Sequence, residues 1–305
     1  MQRNKVIEVN HVSKRLGNRT IIDNLSLHVN EGEIVGFLGP NGSGKTTSIR
    51  MMTGMIKPDQ GSIKIMGYDI QAEFSLAMKH IGAIVEQPAL YGYLSGWENL
   101  MQAVRISGMQ INKERIEWCV RMVQLQERMQ EKVQRYSLGM KQRLAIAQAL
   151  LTQPKMIILD EPTNGLDPSG IIEMRTLIHK LRDETGVSVF ISSHLLSEIE
   201  QLCDRVIVID QGKTLAAKEM SSLGHAAIAL TVQDDQLQSA YHLLQLEGLH
   251  PVLQNARILI QEEAKRIPSL VNHLYQRGIH VYWIEKTKQS LEDFFLDTTQ
   301  GKERK

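Results

Sequence analysis

The chain has 305 residues, 42% of them apolar and 23% charged, which is the balance of a soluble globular protein long enough for two domains. Its formal net charge of +1 excludes the strongly basic surface that bulk binding to nucleic acid requires, so no nucleic-acid partner is expected. No apolar run approaches the roughly 20 residues that span a bilayer, the opening MQRNKVIEVN has no signal-peptide core, and Cys119 and Cys203 lack partners at metal-ligand spacing and read as buried, inert thiols.

KVIEVNHVSKRL and IIDNLSLHVN alternate as two strands across a turn. EIVGFLG is a nearly continuous apolar run, as in a strand buried on both faces, and KTTSIRMMTGMI after it has helical spacing. GSIKIMGYDI reads as a strand. From Ser95 to about Arg135 the texture changes: SGWENLMQAVRISGM and NKERIEWCVRMVQL are amphipathic helices with charged outer faces, a candidate subdomain. QRLAIAQALL is a helix, KMIILDEP a buried strand, PSGIIEMRTLIHKLRDE a helix, VSVFISSH a strand, LSEIEQLC a helix and RVIVIDQGK a last strand. This alternation predicts an α/β core with a largely parallel sheet. Beyond about Gly212 the order is strand, helix, strand, strand, helix, strand, which matches a ferredoxin-like split βαβ unit. SLEDFFLDTT closes it as a short helix with Ser290 as N-cap and Asp293 three residues on, and GKERK is a solvated tail.

Chemistry concentrates in a few stretches. GPNGSGKTT (Gly39, Pro40, Asn41, Gly42, Ser43, Gly44, Lys45, Thr46, Thr47) fits G-x-x-x-x-G-K-[ST] between a strand and a helix. Glycines let the backbone wrap phosphates, the helix N-terminus favours an anion, Lys45 adds a point charge, and the Thr46 hydroxyl can ligate Mg²⁺. Asp160 ends the buried run KMIILD, where a carboxylate is costly unless it faces a cation or a donor; Mg²⁺ on a nucleotide is one. Glu161 beside it can orient or deprotonate an attacking water. His194 ends another strand of the same sheet, at the edge where ligands gather, and can donate to a γ-phosphate. In QRYSLGMKQRLAIAQAL, Ser137 and Gly139 precede a helix expected to start near Lys141. Ser137 there is either a simple helix cap or, with Gly139, a second anion grip.

At these residues the chain resembles the ATP-binding subunits of the ABC transporter superfamily, over about Lys5 to Lys213. Five motifs stand in the family's order: the Walker A loop at Gly39–Thr47, the signature loop YSLGM at Tyr136–Met140, Walker B at Met156–Asp160 with Glu161, the D-loop NGLD at Asn164–Asp167, and the switch histidine His194. The resemblance implies an α/β P-loop NTPase cassette over residues 1–213, with a RecA-like core, an antiparallel β subdomain and a helical subdomain at about 95–135. A small α+β ferredoxin-like accessory domain would follow over residues 214–305. It further implies a homodimer, or a pair with a second ABC subunit, holding two ATP between Lys45 and Thr46 of one copy and Ser137, Gly139 and Asp167 of the other. Glu161, His194 and Lys45 would serve catalysis, Thr46 and Asp160 would hold Mg²⁺, and an integral-membrane permease would be driven from the cytoplasmic face of the membrane.

The chain departs from the family pattern in places. Tyr136, Leu138 and Met140 replace residues of the usual LSGGQ. Leu16 stands where the family stacks an aromatic ring on adenine, which weakens stacking and leaves ATP against GTP open. ALYGYLSGWENL, laid on the family's pattern, puts Glu86 at the Q-loop glutamine position and so near Mg²⁺; a slip of one residue would put Gln87 there. Glu86, SLGM and the C-terminal SLEDFFL resemble the bacitracin and lantibiotic resistance branch of exporters. The competing reading, a soluble ABC-type regulatory ATPase, usually carries two cassettes or a long coiled-coil insert, and neither is present here.

Overall fold

In the computed structural model, the described residues are 4–222, 226–254, 256–260, 262, 264–288 and 291–300. The chain divides into two compact units, Met1–Lys218 and Glu219–Lys305. The expected Ser290 cap and the GKERK tail lie outside the described residues.

The first unit opens with a hairpin, β1 (Lys5–Leu16) and β2 (Arg19–Asn30), antiparallel from the pair Lys5 with Asn30 to the pair Leu16 with Arg19. β3 (Ile34–Leu38) leads to α1 (Lys45–Met52), and β4 (Gln60–Ile65) and β5 (Tyr68–Asp69) follow. The stretch read as one strand is thus a tight hairpin. Met66 and Gly67, at φ 49 and 85, turn the chain in the left-handed region, which a continuous strand does not allow. Next come α2 (Phe74–Met78) and β6 (Ile81–Ile84), both too short to announce themselves by periodicity, then α3 (Gly96–Ser107) and α4 (Lys113–Met122). α5 (Leu138–Leu150) starts three residues before Lys141 because the Ser137 side chain accepts the Met140 N–H and caps it there. β7 (Met156–Asp160), α6 (Pro168–Thr185), β8 (Ser188–Ser193), α7 (Leu196–Leu202), β9 (Arg205–Asp210) and β10 (Lys213–Glu219) complete the unit. β9 is therefore not its last strand. β10 adds an edge to the central sheet and carries the first unit to Lys218, beyond the expected boundary at 213.

Two sheets result. One is antiparallel, in the order β2-β1-β4-β5; the other has six strands in the order β10-β9-β3-β8-β7-β6, with β9, β3, β8, β7 and β6 parallel. The continuous apolar runs become β3, β7 and β8, each buried along its whole length. The main core lies between the sheets. It joins Val9, Leu25 and Ile63 to Phe37, Ile158 and Ile207, with the Phe37 and Phe190 rings 5.3 Å apart. Each such side chain contributes about 1.5–3 kcal/mol by leaving water.

The helical insert is tied to itself. α3 begins in a complete capping box of Ser95 and Glu98. A lone antiparallel bridge joins Ser95 to Lys132, and Tyr136 Oη donates to Arg128 O at 2.6 Å. At the far end of the central sheet, Glu33 and Arg205 form a buried, two-point ion pair, Nε to Oε1 at 2.5 Å and Nη2 to Oε2 at 3.0 Å. Burial by itself would raise the Glu33 carboxyl. The Arg205 guanidinium and the Asn30 N–H outweigh that and hold it below its ordinary value.

The second unit runs β11 (Ala226–Val232), α8 (Leu237–Leu246), β12 (Val252–Gln254), β13 (Arg257–Ile260), α9 (Ile267–Gln276), β14 (Val281–Lys288) and α10 (Leu291–Gln300). Its sheet has the order β12-β13-β11-β14 with every neighbouring pair antiparallel. Ile228, Leu230 and Ile258 pack with Leu244, Leu270 and Leu274 in a core of its own.

Candidate active site

β3 runs into Gly39, and the loop that follows ends at Gly44, the N-cap of α1. Gly44 has φ 107, where side chains are strained, and a Cβ there would sit 2.5 Å from Ile22 Cδ1. A Cβ on Gly39 would sit 2.3 Å from the Ile209 carbonyl oxygen. The loop thus lies flat on β2 and β9, which only glycine permits at these two positions. The first turn of α1 contains no acidic residue, so its unpaired N–H groups keep their attraction for an anion. Ser43 Oγ is buried with no hydrogen-bond partner among the described residues, a donor suited to a phosphate oxygen.

Lys45 is buried. Its Nζ donates to Gly39 O at 2.8 Å and Pro40 O at 3.2 Å, and lies 3.6 Å from Glu161 Oε1. Thr46 Oγ1 donates to Asp160 Oδ2 at 3.0 Å, while Asp160 Oδ1 accepts from Ser192 Oγ at 2.5 Å. A hydroxyl and a buried carboxylate this close form a hard-oxygen set that fits Mg²⁺. Glu161 follows at φ 49, a left-handed conformation rare for glutamate and held by its N–H donating to Ser192 Oγ at 2.9 Å. That turn aims its carboxylate back at the loop. Oε1 lies 3.3 Å from His194 Nδ1, and Oε2 accepts from Asn164 Nδ2 at 3.3 Å.

Of these groups Lys45, Thr46 and Glu161 border a cleft of about 600 Å³ whose walls also include Asn41, Gly42, Thr47 and Gln211. Leu16 lines it too, 48% exposed at the end of β1, with Arg19 and Thr20 nearby. The structure therefore brings together Lys45, Thr46, Asp160, Glu161 and His194 from three separate stretches of chain.

It does not bring Glu86 into that set. Glu86 follows β6 at φ 64, and its carboxylate pairs with the Arg50 guanidinium, one helical turn beyond Thr46 on α1. No hydrogen bond joins Glu86 to Thr46 or Asp160 among the described residues; its carboxylate partner is Arg50. Gln87 is exposed beside it.

Ser137, Gly139 and Asp167 form a second group, joined to the Lys45 cluster by no hydrogen bond or ion pair among the described residues. Ser137 caps α5 with a 3.2 Å bond from Met140 N–H. Asp167 caps α6, accepting from Gly170 N–H at 3.1 Å and Ser169 Oγ at 2.7 Å, and these bonds hold its carboxyl below the usual range, Ser169 first. The two caps are neighbours: a Cβ on Gly139 would touch Leu166 Cδ2 at 3.7 Å, and one on Gly165 would lie 3.1 Å from Leu138 Cδ2.

Sequence reasoning missed Ser192, the Asn164 amide and Arg50. Ser192 stands opposite Asp160 in the parallel register of β7 and β8. Its only trace in the sequence is the first serine in ISSH, which acquires meaning once the strand order is known. Both cysteines are buried; burial pushes the Cys119 thiol up to about 11 and raises Cys203 further.

The model of a family described as ABC transporter matches residues 22–164. The chain is 44% identical over 296 residues to an uncharacterized ABC transporter ATP-binding protein, YhcH, of Bacillus subtilis, covering 96% of each. It is 41% identical over 300 residues to the bacitracin transport ATP-binding protein BcrA of Bacillus licheniformis, covering 97% of this chain and 98% of that one. Among solved structures, the ATP-binding cassette MJ0796, a dimer in a post-hydrolysis state bound to ADP and Pi, matches with a TM-score of 0.62 at 26% identity, over 70% of this chain and 98% of that one.

Proposed function

The chain belongs to the ABC transporter family as an ATP-binding, ATP-hydrolysing subunit, and on that premise we propose that two copies, or one copy and a second ABC subunit, enclose two ATP head to tail and drive a separate membrane permease. The proposed cargo is a drug or antimicrobial peptide, as in the bacitracin transport relative. No helix among the described residues is long and apolar enough to cross a membrane. The proposed place of work, that of an ATP-binding subunit of a transporter, is the cytoplasmic face, against the permease. The second unit is proposed as a ferredoxin-like accessory domain. Its strand order supports that reading.

The observation that carries the mechanism is the Glu161 carboxylate, 3.6 Å from Lys45 Nζ and 3.3 Å from His194 Nδ1. The loop Gly39–Thr47 and Ser43 Oγ would grip the phosphates, with Lys45 releasing its loop carbonyls to neutralise them. Thr46 and Asp160 would hold Mg²⁺, which when bound supplies positive charge to phosphate oxygens. Glu161, oriented by Asn164 and Ser192, takes a proton from the attacking water, and His194 donates to the γ-phosphate. Ser137, Gly139 and Asp167 would act on the nucleotide of the other copy.

The test is ATP hydrolysis by the purified chain beside Glu161→Gln. Hydrolysis is expected to fall by about 10²-fold or more while ATP binding persists. Unchanged hydrolysis would remove Glu161 from the mechanism. Co-purification with ribosomes instead of a permease would remove the transport role.

A further inference from the structure

Glu198 is a buried carboxyl that the mechanism above leaves unused. It is the third residue of α7, the position where a glutamate usually completes a capping box. α3 shows that arrangement in full. There Glu98 Oε2 accepts from Ser95 N–H at 2.7 Å and Ser95 Oγ accepts from Glu98 N–H at 3.1 Å. α7 differs. Its N-cap is Leu195, which has no hydroxyl, and the helix has no side-chain cap.

Glu198 reaches past the cap instead. Its Oε2 accepts from Ser193 Oγ at 2.7 Å, and the same hydroxyl accepts from Leu195 N–H at 3.0 Å. Ser193 and Leu195 are the two neighbours of His194. One buried hydroxyl thus closes the chain around His194, and one buried carboxyl anchors that hydroxyl. The other oxygen, Glu198 Oε1, is buried with no partner among the described residues. An unpaired polar atom in the interior is costly, and helix capping does not account for it.

We propose that Glu198 is a positioning residue that acts through Ser193 to hold His194 against Glu161. This rests on the reading of His194 as part of the hydrolytic site. The clamp fixes the backbone on both sides of the imidazole, whose Nδ1 stands 3.3 Å from Glu161 Oε1. Without it the ring remains present but is no longer placed, and a displacement of the order of 1 Å at a catalytic group costs about 10²-fold in rate.

The experiment measures kcat, KM for ATP and melting temperature on the full chain for Glu198→Ala, Glu198→Gln, Ser193→Ala, the double alanine variant and His194→Ala. Glu198→Ala and Ser193→Ala should each lower kcat by about 10- to 100-fold with KM little changed. The double variant should be no worse than Ser193→Ala alone, because that change already removes the bond to Glu198. Glu198→Gln should recover most of the rate, since its amide oxygen still accepts from Ser193. A wild-type kcat for Glu198→Ala beside an inactive His194→Ala overturns the inference and leaves the site reading standing. Loss that tracks a lowered melting temperature, with no rescue by glutamine, also overturns it. A fully active His194→Ala overturns the site reading itself.

Discussion

Glu86 and Gln87 differ by one charge and lie side by side after β6, both exposed. Alignment with the family pattern points to Glu86 and places it at the metal; the fold places it on Arg50. An exposed ion pair contributes about 0–1 kcal/mol, so Glu86→Gln should leave stability and ATP affinity nearly unchanged. If the segment after β6 relays motion to the permease, the same change should weaken stimulation of hydrolysis by the permease. Wild-type stimulation in Glu86→Ala together with its loss in Gln87→Ala would move the role to Gln87. Asp160, by contrast, was legible from its place at the end of a buried run, because the cost of burying a carboxylate already demands a partner. That Ser192 is one such partner was not legible, since β7 and β8 are neighbours in space and distant in sequence.

Among the elements, the long continuous strands and capped helices were readable because their signals are local. Asp167 with Pro168 and Ser95 with Glu98 start α6 and α3 by contacts within a few residues. The β4–β5 hairpin and the short β6 were not, as two to six residues carry too little periodicity to compete with their neighbours. The joining of strands from opposite ends of the first unit is clearest at Glu33 and Arg205, which tie β9 to the chain entering β3 while Arg205 Nη2 also donates to His28 O at 2.7 Å. Because the folded state holds the Glu33 carboxyl below its ordinary 4.5, its stabilisation is fully present above pH 4.5 and is lost as pH falls through the depressed folded value. Glu33→Gln should therefore cost about 3 kcal/mol at neutral pH, the penalty of leaving Arg205 buried without its counter-charge. In urea melts the gap to the wild type should close as pH drops below 4.5. A gap that does not vary with pH would mean that packing, not the ion pair, is responsible.

For the whole molecule, the two polar groups of the first unit make sense together if a second copy supplies what each lacks. Gly139 offers a way to separate folding from association. A side chain there meets Leu166 Cδ2 at an ordinary 3.7 Å, and an acidic residue in the first turn of α5 suits the helix dipole. Gly139→Asp should fold and melt like the wild type, yet fail to dimerise with ATP when light scattering is measured in the Glu161→Gln background. A dimer of undiminished affinity would exclude the proposed head-to-tail contact. The sequence alone determined the phosphate loop, the acidic strand end, the α/β alternation and the change of texture near residue 213, because glycine spacing, apolar runs and caps act over a few residues. Only the tertiary structure decided that Glu161 turns back toward Lys45 and His194, that Glu86 answers to Arg50, and that Glu198 holds the residues around His194. Each of those depends on which strands and helices become neighbours, and that is set by burial of the whole core rather than by any local stretch.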